Sequence, residues 1–66
     1  MNQYKDGIYE GDYGITYFVK DSRVLLTHLG QTYRSTKHFL FGNWRQELQP
    51  GMENQFDEVY NKAKNW

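Results

Sequence analysis

Between Tyr33 and Arg45 the chain interleaves rings (Tyr33, Phe39, Phe41, Trp44) with cationic or protonatable side chains (Arg34, Lys37, His38, Arg45). On a sheet, such a set contains both parts of a single-stranded nucleic-acid platform: rings for base stacking and cations for phosphates. It also contains the aromatic and arginine anchors of a protein interface. Catalytic constellations are absent elsewhere. Ser22 and Ser35 lack the elbow context of a nucleophile, no phosphate loop or dinucleotide fingerprint occurs, and Asp6, Glu10 and Asp12 miss the spacing of a calcium loop. The lack of cysteine removes disulfides, thiolate zinc sites and cysteine nucleophiles together. No catalytic residue, cofactor or metal site is therefore expected, and the chain reads as a non-enzyme.

The elements that must position these residues follow from periodicity and turn signals. Five segments alternate or are rich in β-branched and aromatic residues, near 7–10, 15–20, 23–29, 32–41 and 44–49. Asp21-Ser22, Gly30-Gln31 and Gly42-Asn43 separate the last four as two-residue turns. After Pro50-Gly51, the residues Met52, Phe56, Val59, Tyr60 and Ala63 form an apolar stripe at helical spacing, opposed by charged and amide side chains. The stripe predicts a helix near 52–64, with Asn54 as a cap for a later start. The fold class expected is α+β: a small antiparallel four- to five-stranded β-meander with one C-terminal amphipathic helix packed on one face, all within a single domain, 1–66.

Two-residue turns fix a register, and the register sorts the strand side chains onto two faces. One face collects Ile15, Tyr17, Val19, Val24, Leu26, His28, Tyr33, Phe39, Phe41, Trp44 and Leu48. This apolar set is the expected core beneath the helix. The other face carries Thr16, Phe18, Lys20, Arg23, Leu25, Thr27, Leu29, Thr32, Arg34, Thr36, His38, Leu40, Arg45 and Glu47, and is expected to stay open. The two histidines fall on opposite faces and cannot share a metal. His38 opposite Glu47 is an ordinary cross-strand charge pair, worth roughly 0.2 to 1 kcal/mol.

Charge is segregated although the chain is neutral overall. Residues 20–45 carry Lys20, Arg23, Arg34, Lys37 and Arg45 against Asp21, a balance of plus four, while the flanking stretches 1–19 and 46–66 each sum to minus two. Zero net charge argues against binding dominated by nonspecific phosphate contacts. A mixed face with an apolar centre and a cationic rim fits a protein interface with fewer assumptions. The function expected is a small binding module, a regulator or inhibitor acting by protein–protein interaction, with single-stranded nucleic-acid binding as the alternative. The partner-binding set is Phe18, Lys20, Arg23, Leu29, Arg34, His38 and Arg45. Another protein is the expected partner, a homodimer is a second expectation, and no membrane span or leader is read, which points to the cytoplasm.

Overall fold

The computed structural model describes residues 4–35 and 42–66. Its elements are β1 (Gly7–Gly11), β2 (Thr16–Lys20), β3 (Arg23–His28), β4 (Gln31–Arg34), β5 (Gly42–Gln46), α1 (Pro50–Lys62) and β6 (Lys64–Asn65). The fold is a small α+β arrangement: six strands form one sheet in the order β5-β1-β2-β3-β4-β6, crossed by one helix. All neighbours are antiparallel except β4 and β6, which run parallel. Among the described residues, no helix is long and apolar enough to cross a membrane.

The first four strands form the expected meander. Asp21 and Ser22 both adopt left-handed backbone, as a type I′ hairpin requires, and Lys20 pairs with Arg23 across the turn. The next turn is Leu29-Gly30, one residue earlier than Gly30-Gln31, with His28 paired to Gln31. Because the whole loop moves by one residue and keeps its length, face parity is unchanged.

The fifth strand departs from the meander. It pairs with β1 on the far side of the sheet, so Gly42 and Asn43 open a strand and do not form a hairpin turn. Two glycines explain the close fit of β1 and β5. A Cβ on Gly42 would lie 2.9 Å from the Glu10 carbonyl oxygen, and one on Gly7 would lie 2.8 Å from the Gln46 carbonyl and closer still to the Trp44 indole. Arg45 is the extra residue of a bulge, since Trp44 pairs with Tyr9 and Gln46 with Ile8. The expected strand 32–41 ends at Arg34, and its continuation over 36–41 lies outside the described residues. The strand expected at 44–49 is Gly42–Gln46.

The helix starts two residues earlier than its stripe suggests. Pro50 takes the first helical turn, where its missing N–H has no partner to lose, and Gln49 precedes it in extended backbone without a side-chain cap. Asn54 is therefore interior and caps nothing. At the other end Ala63 leaves the helix extended, and Lys64–Asn65 continues beside Tyr33–Arg34 as the parallel strand β6.

One face of the sheet holds the core cluster Tyr9, Tyr17, Val19, Val24 and Leu26, with Tyr4, Ile15 and Tyr33 packed against it. Val19 is fully buried. The Tyr9 hydroxyl donates to the Lys5 carbonyl at 2.6 Å. Burial, with Asp6 and Tyr4 nearby, pushes its ionisation above the ordinary tyrosine value. The expected membership of this face holds for β2, β3 and β4; the expectation that α1 covers it does not. Phe56, the buried residue of the helix stripe, lies with Phe18 and Leu25 on the opposite face. Trp44, expected beneath the helix, is partly exposed on β5, where its indole N–H donates to the Asp6 carbonyl and Lys5 lies over the ring.

Candidate binding groove

The helix is held over the basic half of this face by three cations, through a main-chain hydrogen bond, an ion pair and ring contacts. Lys20 Nζ donates to the Glu53 carbonyl at 3.1 Å, and Arg23 reaches the Asp57 carboxylate at 2.6 Å and that of Asp21 at 3.8 Å. The Arg23 guanidinium also lies 5.1 Å from the Phe56 ring centroid and 5.3 Å from that of Tyr60, and the Arg34 guanidinium lies 5.5 Å from the Tyr60 ring. Contacts at positions 53, 57 and 60 thus meet β2, β3 and β4 in turn. A helical pitch of about 5.4 Å against a strand spacing of about 4.8 Å explains this match of one turn per strand in a helix laid across the sheet.

Lys20, Arg23 and Arg34 all sit toward the Asp21-Ser22 end of their strands, so α1 covers only that end of the face. Toward the Leu29-Gly30 end the described residues leave a recess between the sheet and the helix. Phe18, Leu25, Thr27 and Thr32 form the floor there, Leu48 and the α1 residues Met52, Gln55, Phe56 and Val59 form the wall, and the enclosed volume is about 260 Å³. Among the described residues, no lining side chain is ionisable. Register places Thr16, Thr27 and Thr32 in one row across β2, β3 and β4, so a line of hydroxyls borders the apolar floor. Val59 is 38% exposed on the helix side.

The residues expected to bind a partner are thereby divided. Phe18 lines the groove. Lys20, Arg23 and Arg34 face the helix and were expected to be free; the Glu53 main-chain carbonyl, the Asp57 carboxylate and the Tyr60 ring engage them in turn. Arg34 Nε is buried without a hydrogen-bond partner. Leu29 is fully out in solvent at the turn, and Arg45 sits at the β5 bulge on the far flank of the sheet. His38 lies outside the described residues, as do Thr36, Lys37, Phe39, Leu40 and Phe41. The Gly42-Asn43 hairpin turn on which the expected His38–Glu47 pairing depended is not formed, because these two residues open β5 against β1.

Comparison with known protein families, curated proteins and solved structures finds no match to this chain.

Apart from Phe18, every described residue of the groove lies outside the partner-binding set, including the buried Leu25 and Phe56 and the more exposed Thr27, Thr32, Gln55 and Val59. Their signal was present in part. Met52, Gln55 and Val59 follow i, i+3, i+7 along one flank of the helix, and strand parity aligns the threonines. Asp57 marks the other half of the face. The hydrogen bond and charge of Arg23, with Lys20 nearby, hold its carboxyl below the ordinary aspartate value.

Proposed function

We propose that the chain is a non-enzymatic protein-binding module, a regulator or inhibitor that docks a partner through the groove between α1 and the Phe18–Leu25 face of the sheet. The observation that carries this reading is the groove itself: an uncharged, mainly apolar recess of about 260 Å³ open at one side. An apolar cavity of about 150 Å³ already accommodates a benzene-sized group, so this recess takes a large apolar anchor side chain. The threonine row and Gln55 supply hydrogen-bonding groups around such an anchor, the apolar-centre and polar-rim pattern of protein interfaces. The nucleic-acid reading loses support, because Lys20 and Arg23 contact the helix and no ring is stacked beside a free row of cations among the described residues.

Affinity capture from the cells that make the protein tests this reading through variants. Wild type and Arg45→Asp, altered on the far flank, retain the same stoichiometric partner, whereas Val59→Asp and Gln55→Arg lose it with their circular dichroism unchanged. A partner that survives both groove substitutions overturns the proposal.

A further inference from the structure

Leu29 occupies the first central position of the β3–β4 turn with φ +53°, a conformation that favours glycine, asparagine or aspartate and is an outlier for a bulky aliphatic residue. Its side chain is 88% exposed, so intrachain burial does not offset this strain. The turn closes on the His28–Gln31 pair, and the next pair, Thr27–Thr32, is part of the groove floor. Among the described residues, an unburied aliphatic knob therefore stands at the turn next to the strand pair that floors an apolar recess.

We infer that the groove receives Leu29 of a second copy of this chain, reciprocally, in a two-fold homodimer. This rests on the groove being a docking site and names its occupant. Because knob and hole are neighbours, an axis passing between them lets each Leu29 enter the other copy's groove, which closes the assembly at two and prevents a growing filament. Charge permits the approach. Among the described residues the groove lining carries no ionisable side chain, the turn neighbours His28, Gly30 and Gln31 include no carboxylate, ammonium or guanidinium, and the chain has zero net charge, so net charge does not oppose the approach of two copies. Tyr13 has the same left-handed backbone and high exposure at the same end of the sheet, but it borders Asp12 and the polar recess of Glu10 and Asn43, not the groove. The strained turn is explained if leucine is kept there for association while glycine suits the monomer better.

Sedimentation velocity from micromolar to submillimolar protein, paired with thermal denaturation at the lowest concentration, tests this. Wild type sediments as a monomer–dimer equilibrium. Leu29→Gly weakens the dimer about tenfold or more while raising the melting temperature of the monomer, since glycine relieves the left-handed strain. Val59→Asp also weakens the dimer, and mixing it with Leu29→Asp restores part of the association, because one knob and one hole remain intact between them. A wild-type chain that stays monomeric throughout, or a Leu29→Gly dimer as tight as wild type, overturns the inference. Such a result leaves the docking reading standing if Val59→Asp still loses a different protein in the capture experiment.

Discussion

The guanidinium of Arg23 on β3 and the carboxylate of Asp57 on α1 lie 2.6 Å apart, the shortest ion pair among the described residues. It links the basic central stretch of the sequence to the acidic stretch that follows. The Arg23 guanidinium also lies over the Phe56 and Tyr60 rings, so the same side chain anchors the helix by an ion pair and by cation–π attraction. The placement of α1 at this end of the sheet leaves the groove open at the other.

Acid should loosen this anchor. The folded-state pKa of Asp57 is held below its ordinary 3.8 by Arg23, so the pair's contribution is present above about that pH and is lost as pH falls through the folded value. Thermal melts from neutral to acid pH should show a fall in stability below this point that is shallower in Asp57→Asn. Because Asp57 is exposed, added salt should reduce the difference between the two proteins.

Docking of α1 depends most on Phe56, its single buried side chain, which is 3% exposed. Phe56→Ala should cost about 3 to 5 kcal/mol by lost transfer free energy and the cavity left behind. At a total stability of about 0.05 to 0.15 kcal/mol per residue, this loss is about a third or more of what a chain of this size has. Urea titration followed by far-ultraviolet circular dichroism measures it. A loss below 1 kcal/mol, again about the scale of an exposed site, would contradict the packing described.

Strand parity was legible in the sequence, whereas the choice of covered face was not. Two-residue turns sort Thr16, Phe18, Lys20, Arg23, Leu25, Thr27, Thr32 and Arg34 from Tyr17, Val19, Val24, Leu26 and Tyr33, and the sheet has this division. An apolar helix stripe states only that it needs an apolar surface, and both faces offer one: Phe18 with Leu25, or Tyr17 with Val19, Val24 and Leu26. Expecting the richer face to receive the helix ignored that both faces can be buried. The deciding cue was Asp57, opposite Arg23 on β3 with Lys20 nearby on β2; the Lys20 bond to the Glu53 main-chain carbonyl carries no side-chain signal. The pairing of β5 with β1 was hidden for a different reason. Gly42-Asn43 has a local preference for a hairpin turn, while its strand role depends on Glu10 and Gly11, some thirty residues earlier in the chain. The groove was legible only in pieces, because it needs the helix position before Thr27, Gln55 and Val59 meet.

Gly7 holds the other flank together. A methyl group there would collide with the Trp44 indole and would come 2.8 Å from the Gln46 carbonyl, at a backbone φ of +151° that side chains rarely adopt. Gly7→Ala should lower stability by about 1 to 3 kcal/mol through overpacking alone. Trp44→Ala in the same background should lessen the steric part of that cost. Chemical denaturation of the two single variants and the double variant measures the coupling, and strict additivity would place the collision elsewhere.

Site-specific photo-crosslinking in living cells tests the groove as a docking site most directly. A benzophenone side chain introduced at Gln55, on the groove wall, is compared with one at Gln46, on the β5 edge. The groove position should give one discrete adduct, to a second copy or to another protein, and the edge position should give none. Adducts from Gln46 with none from Gln55 would contradict the groove as the interaction surface.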